Sequence, residues 1–242
     1  MKKEYRFVIS KAQKIEGMLT DKEACLLYLL AKEGSGKGAI VEIGSYKGKS
    51  TVCLALGTKK ARREKVYAVD WHKGWKDAVK GGSLKEFLRN VKRFRVDRYV
   101  IPMVMKSEDA AKVWAKKKRP IRLLWIDGSH EYKDVRKDFL LWSQYIVEGG
   151  VIAFHDTFWN GPYKVVNEYI LKSGKFSQIS AVDYTIFAIK SKPNNMEKLK
   201  NIKMLFLRSM LKYPMRAEHL QPRFINKFIK DVFLNDLPEK IK

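Results

Sequence analysis

Cysteine is almost missing from this chain: Cys25 and Cys53 are the only two in 242 residues, and both sit inside apolar runs. So small a number excludes a disulfide framework and a Cys/His zinc cluster, and it fits a reducing, cytoplasmic setting. Acids are scarce as well, 26 Asp plus Glu against 50 Lys plus Arg, which leaves a formal net charge of +24. Thermophile-type enrichment raises Lys and Glu together, so it does not account for that imbalance. A positive field of this size favours an anionic partner: an anionic substrate, a membrane surface or nucleic acid, among which charge alone does not choose. No apolar run approaches the roughly 18–20 residues that span a bilayer, and MKKEYRFVIS at the N-terminus has no apolar segment behind its basic residues. The expectation is a protein neither exported by a signal peptide nor threaded through a membrane. Internal repeats and low-complexity segments are absent too.

What is present suffices for one sizeable domain with an appendage. Thr20 followed by Glu23 makes a capping box ahead of Ala24, Leu26, Leu27, Leu29 and Leu30, and glycines from Gly34 to Gly38 end that helix. Strand candidates follow at AIVEI (39–43), KVYAVD (65–70), YVIPMVM (99–105), IRLLWID (121–127) and GVIAFHD (150–156). Amphipathic stretches separate them: STVCLALGTKKA, SLKEFLRNVKRF, SEDAAKVWAKK and DVRKDFLLWSQYI. Strands alternating with helices predict an α/β doubly wound, mostly parallel sheet. FSQISAV and TIFAIK (176–190) lie close enough to pair as an antiparallel ribbon at its edge. From Pro193 the pattern turns to helices punctuated by Pro214 and Pro222. The expected division is therefore a domain over 1–192, with an N-terminal helical cap at 1–36, and a basic helical extension over 193–242.

The stretch IVEIGSYKGKST (40–51) ends like a phosphate-binding loop. A Walker A loop needs GxxxxGK[ST], yet Gly44 and Gly48 are separated by only three residues. A dinucleotide fingerprint would put glycine at position 46, where Tyr46 stands. An acid inside the strand end, Glu42, followed by a glycine bend into a helix start, suits a ligand with both a cationic group and a carboxylate. The carboxylate would rest on the first helical N–H groups, helped by Ser50.

VEIGSYKGKST resembles the ExGxxxG first motif of the class I S-adenosylmethionine-dependent methyltransferases, in particular the catechol-type and macrolide-sugar O-methyltransferases. The resemblance continues in order through VYAVDWH, VMKSEDA, LLWIDGSHEYKDVRKDF and GGVIAFHDT, covering about Gly17 to Lys190. It implies a Rossmann-like sheet of seven strands in the order 3-2-1-4-5-7-6, with the last strand antiparallel. It also implies a donor site built from Glu42, Gly44, Ser45, Tyr46, Gly48 and Ser50, with Asp70 on the ribose hydroxyls and Trp71, Ser107 and Glu108 near the adenine. Asp127 borders the same site.

Methyl transfer from a sulfonium is an in-line displacement, so the protein mainly aligns the acceptor and makes it reactive. In the metal-dependent relatives, acids at the ends of the fourth and fifth strands hold magnesium, which lowers the pKa of a bound hydroxyl. By that resemblance Asp127 and Asp156 are metal ligands, with His155 standing where the catechol-type enzymes place a carboxylate. Magnesium or another divalent ion is therefore an implied cofactor beside S-adenosylmethionine. His130 matches the general base of the sugar-methylating relatives, and histidine titrates close to neutral pH. Plainer roles compete: Asp127 as a turn cap beside Gly128, Asp156 as an N-cap, His130 as a loop residue, Trp71 and His72 as loop packing, Tyr46 as a lid on the core.

No NPPY-type tetrad follows the fourth strand, which argues against base N-methylation, and no RNA-binding module is recognisable. The expected acceptor is a hydroxyl of a sugar, glycan or other diol-bearing small molecule, anionic in one reading. An RNA-associated methyltransferase or nucleic-acid-binding protein is the alternative, carried by charge. In the extension, Phe224, Ile225, Phe228, Ile229, Val232 and Phe233 form one helical stripe beside Arg223, Lys227 and Lys230. Such a stripe docks on the domain, on a second subunit in a homo-oligomer, or on an anionic membrane.

Overall fold

The computed structural model describes residues 3–73 and 82–216. The chain opens with two helices, α1 (Lys3–Ala12) and α2 (Asp21–Glu33). Five strand–helix units follow: β1 (Ala39–Ile43), α3 (Lys49–Ala61), β2 (Val66–Val69), α4 (Leu84–Arg93), β3 (Val100–Met103), α5 (Ser107–Lys117), β4 (Ile121–Ile126), α6 (Tyr132–Trp142), β5 (Ile146–Phe154) and α7 (Asn160–Val165). α7 runs on as a π-helical turn, Val166–Leu171, before β6 (Phe176–Val182), β7 (Thr185–Lys190) and α8 (Asn195–Arg216).

The seven strands form one sheet in the order β3-β2-β1-β4-β5-β7-β6. β1 to β5 run parallel, and β7 is inserted antiparallel between β5 and β6. The expected order and the antiparallel ribbon are both borne out. β1 and β4 are buried at every position, as strands covered on both faces must be. One face carries Leu27, Leu30, Val52, Leu54 and Phe87 from α2, α3 and α4; the other carries Trp114, Phe139, Trp142 and Val165 from α5, α6 and α7. Arg122 looks out of place in the buried β4. Its guanidinium is neutralised by Glu64 at 3.1 Å and donates to Ala31 O at 2.7 Å and to Thr58 Oγ1 at 3.0 Å.

The capping box at α2 forms as the spacing predicts: the Glu23 amide donates to Thr20 Oγ1 and the Thr20 amide to the Glu23 carboxylate. Both cysteines are buried and unpaired, with burial pushing each thiol up to about 12. Among the described residues, no helix is long and apolar enough to cross a membrane. One detail departs from the sequence reading. α8 runs through Pro214 to Arg216, the last described residue, with the proline removing one backbone donor from the helix. The stripe from Phe224 to Phe233 lies outside the described residues.

Candidate active site

Backbone bonds between neighbouring strand ends assemble the site. Gly44 N donates to Val69 O at 2.9 Å, Asp127 N to Ile43 O at 2.8 Å, and His155 N to Ile126 O at 3.1 Å. This ladder lines up the carboxyl ends of β2, β1, β4 and β5, the edge where open α/β sheets bind ligands. Gly44 is required by the close approach: it sits at φ 87°, and a Cβ added there would lie 2.1 Å from Asp127 O.

The bend Gly44–Gly48 is organised by Asp70. Its Oδ2 accepts from the amides of Ser45 at 3.0 Å and Tyr46 at 2.8 Å, and its Oδ1 from the amide of His72 at 2.7 Å. The lysines that made this stretch look phosphate-binding are engaged elsewhere. Lys49 Nζ donates to Gly17 O and Leu19 O, both at 2.9 Å, and Lys47 Nζ to Glu16 Oε2 at 2.6 Å and Glu86 Oε2 at 3.1 Å. The connection between α1 and α2 is thereby strapped to the bend. Glu42 is fully buried beneath it; one oxygen accepts from Thr51 Oγ1, and Oε1 has no partner. Burial, only partly offset by the hydroxyls of Ser50 and Thr51, pushes its carboxyl up to about 8.

At the next strand ends, Asp127, His130, His155 and Asp156 converge. His155 Nδ1 lies 3.1 Å from Asp127 Oδ1 and 3.4 Å from Asp156 Oδ2, and His130 Nε2 lies 3.0 Å from Asp156 Oδ2. Asp156 holds a left-handed backbone, φ 50°, that turns its carboxylate between the two imidazoles. Burial opposes a charge on His155, but Asp127, Asp156 and Glu23 outweigh it and raise its pKa far above the ordinary histidine value. Burial alone would raise Asp156; hydrogen bonds to His130 and His155 hold it well below the usual carboxylate range instead. Asp127 stays above its usual value because burial outweighs the pull of His155.

The ligating atoms of Asp127, His155 and Asp156 all lie within 4.8 Å of one another. His155 Nε2 faces Glu23 Oε2 at 3.4 Å, which leaves Nδ1 as the nitrogen turned to the two carboxylates. Two carboxylates and an imidazole that gives up its Nδ1 proton on binding fit a divalent cation.

The sequence from residue 41 to residue 157, β1 to just beyond Asp156, matches a family model described as a methyltransferase domain. The match to a methyltransferase domain thus spans the strands β1 to β5 and just under half of the chain. In fold the chain is similar to an O-methyltransferase from Bacillus cereus solved in complex with SAH, at a TM-score of 0.57 and 17% identity, covering 77% of this chain and 89% of that one. It is also similar to the TDP-rhamnose 3'-O-methyltransferase of calicheamicin biosynthesis, at a TM-score of 0.55 and 14% identity over 77% of this chain and 93% of that one. An uncharacterized protein of Acanthamoeba polyphaga mimivirus is 27% identical over 123 residues, 48% of this chain and 50% of that protein. The chain thus matches about half the length of this curated relative.

The remaining residues expected at the site fall in different places. Trp71 is exposed at the end of β2, with Lys106 Nζ 5.2 Å from its ring centroid. His72 is buried against Phe87, its Nδ1 2.8 Å from Ser83 Oγ. Ser107 accepts from Trp142 Nε1 at 2.9 Å and Glu108 from Lys137 at 2.7 Å, so both are tied to α6. Ser50 is buried beside Glu42. Sequence reasoning passed over two contributors. Trp159 stacks on His130 at 5.1 Å and 16°, and Glu23 reaches the site histidine from the cap of α2. The TxxE spacing identified Glu23 as a cap but gave no sign of its second role.

Proposed function

We propose that this methyltransferase transfers a methyl group from S-adenosylmethionine to a hydroxyl of a sugar, glycan or other diol-bearing small molecule. The observation that carries the proposal is the convergence of Asp127, His130, His155 and Asp156 beside the Gly44–Gly48 bend. Bound there, the donor supplies an electrophilic methyl on a sulfonium. The bend and the first-turn amides of α3 suit its amino-acid end, since those amides have no partner within the helix. Asp70 fixes the shape of that bend.

On the acceptor side, His130 is the base. With Nε2 donating to Asp156, its Nδ1 lone pair takes the hydroxyl proton, and Asp156 stabilises the resulting imidazolium. The ring is held by its stack on Trp159. Asp127, His155 and Asp156 would hold a divalent cation, which supplies Lewis acidity toward a bound hydroxyl.

Calorimetry with S-adenosylmethionine, ATP and NAD tests the donor site, followed by labelled methyl transfer into a panel of sugars and catechols. Binding of S-adenosylmethionine alone and transfer to a hydroxyl are expected. Tight binding of ATP with none of S-adenosylmethionine overturns the reading.

A further inference from the structure

α8 packs Met204 and Leu205 on the core and presents a second apolar face that no described residue covers. Its inner face is anchored by Arg208, 1% exposed, which donates to Thr157 O at 2.8 Å and Asn167 Oδ1 at 2.9 Å and lies over the rings of Phe158 and Tyr163. Asn201 is buried on the same side. Its outer face presents Met196, Leu199, Ile202, Phe206 and Met210, each between 61% and 66% exposed. At 3.6 residues per turn these five fall within an arc of about 120°. They are the largest run of exposed apolar side chains on any one described element.

The charges beside this stripe select what covers it. Lys198 and Lys200 flank it on either side and Lys203 stands inside the arc, and all three are exposed. Glu197 is the only acid of α8, and it is engaged at the helix start, accepting from the amides of Asn194 and Gln178. A second copy laid on the stripe would set these lysines against their own counterparts. The chain's segment 223–233 would bring Arg223, Lys227 and Lys230 to the same place. An anionic lipid surface receives the apolar stripe and neutralises the lysines together.

We infer that the outer face of α8 docks on an anionic bilayer, with the helix lying in the interface plane. Arg208 ties the inner face of the same helix to Thr157, the residue after Asp156, so docking would anchor the β5–α7 connection to the membrane through α8. The inference does not depend on the chemistry proposed above: vesicle binding and donor binding are separate readouts.

The test is flotation of the full chain with phosphatidylcholine vesicles and with vesicles containing phosphatidylglycerol, at low and high salt. Binding to the anionic vesicles only, weakened by salt, is expected. The Ile202→Ser/Phe206→Ser pair keeps the net charge and should lower that binding roughly tenfold or more, since two apolar side chains no longer insert. Its affinity for S-adenosylmethionine should equal the wild type's, which reports an intact fold. A fluorophore on Ile202→Cys, selective because Cys25 and Cys53 are buried, should be solvated in buffer and shift to the blue on anionic vesicles. Several results overturn the inference. They are no flotation, equal flotation of the serine pair, a label already shielded in the lipid-free monomer, or a wild-type dimer that the serine pair breaks.

Discussion

The carboxylate of Glu23, from the cap of α2, lies 3.4 Å from Nε2 of His155 at the end of β5, although 132 residues separate them. The same carboxylate accepts from Tyr184 N at 3.0 Å and Thr185 Oγ1 at 2.9 Å. One buried acid therefore closes a helix, secures the β6–β7 turn and orients a site histidine.

Glu23→Ala strips all of these partners at once. Leaving buried donors unpaired costs on the order of 3 kcal/mol or more, which for a domain of this size lowers the melting temperature by about 6–12 °C. Thermal denaturation followed by circular dichroism measures it. A change under about 2 °C would show that the network is replaced by water.

The fold was legible because its signals are local. IRLLWI, apolar but for Arg122 and with helices on either side, reads as a covered parallel strand wherever it stands, and the strand-end acids Asp70, Asp127 and Asp156 come with it. Contacts that cross the chain left no such mark. Nothing in TxxE distinguishes a cap acid from one that also meets His155, and nothing in KGKS says that Lys49 turns back to Gly17 O. Arg208 reads as an ordinary basic helix residue until the fold buries it over Phe158 and Tyr163.

Asp70→Asn tests the organisation of the bend. The amide side chain offers one acceptor oxygen where the carboxylate offers two, so at least one of the amides of Ser45, Tyr46 and His72 loses its partner. Affinity for S-adenosylmethionine should fall about tenfold or more and stability by about 1–3 kcal/mol. Calorimetry and denaturant unfolding give the two numbers, and unchanged donor affinity would remove Asp70 from the site.

His130→Gln separates proton removal from binding. It should lower kcat by about a hundredfold or more while leaving donor affinity unaltered, with kinetics and calorimetry giving the two numbers. Trp159→Ala, which removes the stack but not the imidazole, should lower kcat less. A His130→Gln enzyme with wild-type kcat would mean that another group takes the proton.

Glu42 gives a pH dependence of known sign. Its carboxyl is raised from 4.5 to about 8 in the folded chain by burial. Between those values the folded state holds a proton that the unfolded state has released, so stability falls as pH rises through that window and is level outside it for this group. The fall amounts to a few kcal/mol at most, at about 1.4 kcal/mol for each pH unit. His155, whose pKa is also raised, adds a loss of the same sign above its unfolded value of 6.5. Comparing wild type with Glu42→Gln in denaturant at pH 5 and at pH 8 cancels the histidine contribution. The wild type should lose more stability than the variant across that interval, because only its Glu42 must ionise in a buried site with one oxygen unpaired. Equal losses would show that Glu42 is already ionised at pH 5.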